Sequence, residues 1–135
     1  MSDDYKAVVK RYFERINSSD PDLLDVFADD VKYEVPGEMP VSGTYYGKDQ
    51  IMGMWLSFFE RLDYIRIHPE EMVAEGETVV VRARGEAMTK EGEEYNNLYV
   101  FFFRFRDGKV FEVLEFPDTA YAETVAFGAR LVREI

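Results

Sequence analysis

The chain has 135 residues, of which 47% are hydrophobic and 32% are charged, so we interpret residues 1–135 as one ordered domain with a single core. It has no cysteine and one histidine, which argues against disulfide bonds, thiolate nucleophiles, histidine-rich metal sites and Ser-His-Asp triads. A net charge of −11 repels phosphate backbones and anionic lipids, so we expect neither nucleic acid nor a membrane as partner, and we expect a cytoplasmic location.

Helices are predicted in the first half of the chain. Apolar residues recur every three or four positions from Tyr5 to Ile16, which indicates an amphipathic helix. Asp20 and Pro21 are typical of the N-cap and first position of a second, shorter helix. The pattern that follows predicts, in chain order, a strand over 31–35, a loop over 42–47 and a third helix over 48–61.

The second half changes to the alternating pattern of β-strands. Four strands are predicted, over 63–73, 77–89, 94–106 and 109–116, and each connection between them contains an acidic residue followed by glycine. Because such connections make hairpins, we expect an antiparallel meander, followed by a short helix from 118 to about 128. Helices followed by a meander indicate an α+β fold with the helices on one face of a curved sheet.

The strand over 94–106 has one face that is almost entirely aromatic. Alternation places six side chains on this face: Tyr95, Asn97, Tyr99, Phe101, Phe103 and Phe105. The last strand would add three more: Phe111, Val113 and Glu115. Such a face can belong to a core or to the wall of a small-molecule pocket.

The register between these two strands depends on the hairpin loop. A three-residue loop with Gly108 in the left-handed conformation sets Tyr99 opposite Glu115. A two-residue Asp-Gly turn would instead set Glu115 opposite Val100. We prefer the first register because it collects the aromatic side chains on one face.

In that register Glu115 is the single formal charge on the aromatic face, beside Asn97 and Tyr99. A carboxyl group among aromatic side chains should have a raised pKa, which suits proton transfer near neutral pH. The alternative is a hydrogen-bonded glutamate with a purely structural role.

Several stretches resemble a known family. The segment from Glu94 to Val110 and the sequence Glu115-Phe-Pro-Asp-Thr119 look like those of SnoaL-like proteins, which belong to the nuclear-transport-factor-2-like and ketosteroid-isomerase-like superfamily. Three further stretches fit the same pattern: Val9-Lys-Arg-Tyr-Phe13, the turn Phe27-Ala-Asp-Asp-Val31 and the glycine-bounded loop over 43–47. The resemblance implies a cystatin-like cone, in which a strongly curved antiparallel sheet wraps around about three helices and encloses a pocket. It also implies dimers formed through the outer face of the sheet.

The catalytic residues of these relatives transfer unevenly. Tyr12 falls where ketosteroid isomerases keep an oxyanion-hole tyrosine, but their general-base aspartate falls at Val35 and their protonated aspartate at Val100 or Phe101. The Arg-x-Asp motif of limonene-epoxide hydrolases ends here in Arg84. The resemblance therefore implies neither steroid isomerase nor epoxide hydrolase activity.

Glu115 matches better, because it lies where SnoaL-type cyclases and phenazine-biosynthesis relatives keep a pocket acid. The leading hypothesis is proton transfer of isomerase or cyclase type on a small hydrophobic or aromatic carbonyl compound, with no cofactor and no metal. The predicted catalytic residues are Glu115, Tyr99 and Asn97. The predicted substrate-binding residues are Tyr12, Tyr33, Trp55, Phe59, Phe101 and Val113. The alternatives are a non-catalytic small-molecule binding domain and a dimerising module without a pocket.

The opposite face of the last two strands predicts a homodimer. Its apolar residues are Leu98, Val100, Phe102, Leu114 and Phe116. An apolar patch of this size is typical of an interaction surface, and Arg104 and Glu112 would form its polar rim.

Overall fold

The computed structural model describes residues 2–134 and contains a six-stranded curved sheet with helices on its concave face. Its elements are α1 (Ser2–Asn17), a 3-10 turn (Leu23–Val26), β1 (Phe27–Val35), β2 (Gly43–Tyr46), α2 (Gly47–Phe59), β3 (Leu62–Glu75), β4 (Thr78–Thr89), β5 (Leu98–Arg106), β6 (Lys109–Pro117) and α3 (Thr119–Tyr121), which continues into a π-helical turn (Ala122–Ala126). The predicted α+β fold is confirmed. Within residues 2–134, no helix is long and apolar enough to cross a membrane.

The strand order in the sheet is β2-β1-β6-β5-β4-β3. Strands β3 to β6 pair as the predicted antiparallel meander. Strand β1 lies parallel to β6, so the sheet is not wholly antiparallel. Strand β2, which we expected as a loop, pairs with β1. The pairing of β1 with β6 could not be predicted from a turn sequence, because most of the chain, and not a hairpin, connects these two strands.

Helix α1 packs its apolar stripe against the aromatic face of β5. The ring of Phe13 meets the rings of Phe101 and Phe103 edge to face, with centroids 5.3 and 5.9 Å apart. The ring of Tyr5 stacks on Phe105 at 4.2 Å. All six side chains predicted for the inner face of β5 and the residues before it are at most 5% exposed. The helix therefore covers one end of the concave face and leaves space at the other.

The segment after β6 is shorter and less regular than the predicted helix over 118–128. Asp118 caps its first turn, because its Oδ1 accepts a hydrogen bond from the Tyr121 N–H at 3.1 Å. The α-helical hydrogen bonding then widens to a π-helical turn. The Tyr121 hydroxyl of this segment accepts a hydrogen bond from the Asn96 N–H at 3.1 Å, so the segment lies beside the start of β5.

Candidate functional site

The β5–β6 hairpin has a two-residue turn, so the predicted three-residue loop is wrong. Asp107 and Gly108 adopt φ values of +52° and +79°, and Arg106 pairs with Lys109 across the turn. Positive φ at both central residues matches the right-handed twist of the strands, and aspartate tolerates this conformation.

A bulge follows the turn and changes the register a second time. Phe111 is the extra residue, so Glu115 lies opposite Phe101 and not opposite Tyr99 as predicted. Because the bulge moves the pairing by one position, Glu115 returns to the inner face. Phe111, predicted to face inward, is displaced to the outside, where the Arg106 guanidinium lies 4.9 Å from its ring centre.

A cavity of about 630 Å³ lies between the helices and the concave face of the sheet. This volume is within the range of small-molecule sites, which argues against the hypothesis of a module without a pocket. Seven of the predicted site residues line it: Tyr12, Tyr33, Trp55, Phe59, Tyr99, Phe101 and Glu115.

Two predicted site residues, Asn97 and Val113, do not line the cavity. The Asn97 amide donates to the Tyr95 hydroxyl at 2.8 Å and to the Asp118 carbonyl at 3.0 Å, and its Oδ1 accepts from the Leu98 N–H at 2.7 Å. Both amide hydrogens are therefore used inside the protein, so Asn97 has none left for a substrate. Val113 is fully buried in the packed core.

The Glu115 carboxyl is held by a tyrosine from the parallel strand. The Tyr33 hydroxyl donates to Glu115 Oε1 at 2.5 Å. Burial raises the pKa of Glu115 to about 7, and the hydrogen bond from Tyr33 opposes this rise. Within residues 2–134, Oε2 has no hydrogen-bond partner in the protein, so this oxygen is available to a molecule in the cavity.

The rings of Tyr12 and Tyr33 both pack against Trp55, with ring centroids 6.3 and 6.1 Å from that of Trp55. Burial and then the Glu115 charge raise the pKa of both tyrosines well above the usual value, so both stay protonated at neutral pH.

The sequence interpretation missed Tyr95 and the entrance of the cavity. Tyr95 was predicted to face inward, but not to be a site residue, and it lines the cavity. The entrance includes exposed side chains of α2 and β3, among them Leu56, Tyr64 and Arg66. The alternation of Ile65 and Ile67 in β3 was the signal that could have identified this wall.

Gly85 leaves room for Tyr99, and we expect Gly85→Ala to destabilise the protein. A Cβ at this position would lie 3.0 Å from Tyr99 Cε2 and 3.3 Å from the Asn97 carbonyl oxygen. Overpacking of this kind costs about 1–3 kcal/mol, which urea denaturation would measure. Gly53→Ala is the matched control, because nothing lies within 4 Å of its added Cβ and alanine favours the α2 helix. An equal change of stability in the two variants would show that an added Cβ at Gly85 does not crowd Tyr99 and Asn97.

Comparisons with known proteins give the family and the fold. The family model described as SnoaL-like domain matches residues 9–113. No curated protein matches the chain.

Three solved structures show the likeness of fold. An NTF2-like protein of unknown function from Burkholderia pseudomallei is 24% identical, with a TM-score of 0.86 over 93% of this chain and 98% of that one. TerC, co-crystallised with polyporic acid, is 22% identical, with a TM-score of 0.83 over 93% and 98% of the two chains. A protein described as a SnoaL-like polyketide cyclase from Jannaschia is 19% identical, with a TM-score of 0.83 over 96% of each chain. The structures show the fold, the family model covers most of the sequence, and the chain therefore belongs to the SnoaL-like domain family.

Proposed function

We propose that this protein binds a small, mostly apolar carbonyl compound in its cavity and that Glu115 transfers a proton on it. The observation that best supports the proposal is the environment of the Glu115 carboxyl group. It lies in a mostly apolar cavity, is held through Oε1 by Tyr33, has a pKa of about 7 and leaves Oε2 open to a ligand. A base with a pKa near the working pH is the most effective one for proton transfer.

The proposed step needs only groups that the cavity supplies. The Glu115 carboxylate takes a proton from the carbon next to the carbonyl group. The electrons of the broken C–H bond form a C=C bond, and the carbonyl π electrons move to the oxygen. A tyrosine hydroxyl donates a hydrogen bond to this oxyanion. Return of the proton from Glu115 to the same or another carbon completes an exchange or an isomerisation.

The similar structures support this class of ligand. TerC was crystallised with a small oxygenated molecule, and the Jannaschia protein is described as a polyketide cyclase. Each statement concerns that protein. We extend to this chain only the expectation of a small carbonyl-bearing ligand, because its cavity has a suitable volume and lining.

Deuterium exchange into 2-tetralone tests the proposal. This two-ring ketone has an activated CH₂ group, and NMR follows its exchange in D₂O with and without the protein. Exchange faster than buffer alone, saturating with ketone concentration, is the expected result. Binding without faster exchange would favour the alternative of a non-catalytic binding domain.

We further propose that two copies associate through the outer face of β5 and β6. Leu98, Val100 and Phe116 are 49%, 36% and 44% exposed there, and the ion pair between Arg104 and Glu112 (3.0 Å) lies at the rim. Burial of such a patch against a second copy removes apolar surface from water. The cytoplasmic location and the absence of nucleic-acid and membrane partners stay predictions.

We expect sedimentation at micromolar concentration to give a dimer of this chain. Val100→Asp should shift the protein toward the monomer, because a carboxylate buried in the apolar patch has no partner. Val132→Asp is the control, since Val132 is 79% exposed and lies outside the sheet. A monomeric wild-type protein would overturn the proposed dimer.

A further inference from the structure

The hydroxyl groups of Tyr95 and Tyr99 have at least one proton to spare. Both side chains line the cavity and are only 2% and 5% exposed. The Tyr95 hydroxyl accepts a hydrogen bond from the Asn97 amide at 2.8 Å. A bond between the two hydroxyls can use only one of their two O–H protons, so at least one proton has no protein acceptor among residues 2–134.

The Tyr33 hydroxyl at the other end of the polar lining has no proton to spare. Tyr33 donates its proton to Glu115 when Glu115 is ionised. An ionised Glu115 only accepts hydrogen bonds. The two ends of the polar lining are therefore complementary, because one accepts a proton and the other, at Tyr95 and Tyr99, donates a hydrogen bond.

The donor pair is held in place from three sides. The Tyr99 ring stacks on Phe101 with centroids 5.5 Å apart, and Phe101 lies opposite Glu115 in the sheet. The Tyr95 ring stacks on Tyr121 at 5.4 Å. Asn97 links Tyr95 to the turn at the end of β6 through its two amide hydrogens. Preorganised donors of this kind need no rearrangement when charge develops on a substrate oxygen.

We propose that Tyr95 and Tyr99 act as one shared donor to the carbonyl oxygen of the ligand, and that Asn97 is the residue that positions them. The inference rests on the proposed function for the identity of that carbonyl group as the one activated beside Glu115. The proposed ligand is neutral. Its carbonyl oxygen contacts the tyrosine pair, and the carbon next to the carbonyl group contacts Glu115.

The test compares 2-tetralone with tetralin, the hydrocarbon of the same shape without the carbonyl group. Ligand-observed NMR gives both dissociation constants near pH 9, where Glu115 with a pKa of about 7 is ionised and cannot donate. One hydrogen bond predicts about threefold to tenfold tighter binding of the ketone by the wild-type protein.

The shared donor predicts a non-additive pattern in the variants. Tyr95→Phe and Tyr99→Phe each leave one hydroxyl proton, so each should keep most of the ketone preference. The double variant leaves none, and its affinity ratio should fall to about one. Tyr46→Phe is the control, because its side chain is 60% exposed and lies outside the cavity. An unchanged ratio in the double variant would overturn the inference.

Asn97→Asp tests the positioning role with almost no change of shape. The introduced carboxylate accepts hydrogen bonds, so it should capture the spare proton of the tyrosine pair and remove the ketone preference while both tyrosines remain. Circular dichroism checks the fold, and the double tyrosine variant decides the matter if this variant does not fold. Because the affinity ratio needs no turnover, loss of exchange with a preserved ratio overturns only the proposed proton transfer. Faster exchange with a ratio of one in the wild-type protein overturns only the shared donor.

Discussion

Glu115→Gln should reduce protein-dependent deuterium exchange into 2-tetralone by about 10²–10⁴-fold, the usual contribution of a general base. The amide of glutamine cannot take the proton, although its oxygen can still accept the hydrogen bond from Tyr33. The shape of the cavity should therefore persist. NMR exchange rates at saturating ketone measure the effect on the chemical step alone.

Binding and a matched variant separate this effect from a loss of structure. The dissociation constant of 2-tetralone should change less than about threefold in Glu115→Gln, because the cavity keeps its volume and its hydrogen bond to Tyr33. Glu34→Gln is the control, because Glu34 lies beside Tyr33 on β1 and does not line the cavity. Exchange at the wild-type rate in Glu115→Gln would mean that Glu115 is not the base, and would favour a binding domain.

The inner face of β5 could be predicted from the sequence because alternation is a local property of the strand. Every second residue from Tyr95 to Phe105 is buried, and the residues between them are exposed or half-buried. No knowledge of the partner strands is needed for this result. The same reasoning placed Tyr99 and Phe101 on the face that lines the cavity.

The sequence predicted the correct face of the sheet for Glu115, but the register from which this prediction was made is wrong. A three-residue loop, or a two-residue turn followed by a bulge, brings Glu115 to the inner face, and the second arrangement occurs. A bulge depends on the packing of neighbouring strands, and Phe111 carries no sequence signal that marks it as the extra residue. The residue opposite Glu115 on β5 is therefore Phe101, and the predicted pairing of Glu115 with Tyr99 is wrong.

The hydrogen-bond partners of the site residues could not be predicted from the alternation along a single strand. Tyr33 reaches Glu115 because β1 lies parallel to β6, which sets Tyr33 beside Val113. Asn97 does face inward as predicted, yet its amide is used by Tyr95 and by the turn after β6. Both facts depend on segments that are distant along the chain or irregular, so alternation alone could not provide them.

The raised pKa of Glu115 also predicts a pH dependence of stability. In the unfolded chain the carboxyl has its usual pKa of 4.5, and in the folded protein burial raises the pKa to about 7. At a pH between these values the folded state binds one more proton than the unfolded state. The free energy of unfolding of the wild-type protein should therefore fall as pH rises through this window, by about 1.4 kcal/mol per pH unit from this group.

Glu115→Gln lacks this titration, so the stability difference between the variant and the wild-type protein isolates it. Below about pH 4.5 the group is protonated in both states and the difference should not vary with pH. It should then rise in favour of the variant and level off above about pH 7, after a total change of about 3 kcal/mol. Urea denaturation of both proteins across this range measures the difference, and the other carboxyl groups cancel because both chains carry them. A difference that stays constant with pH would show that Glu115 titrates normally in the folded protein, and the proposed base would then have no advantage over a carboxylate in water.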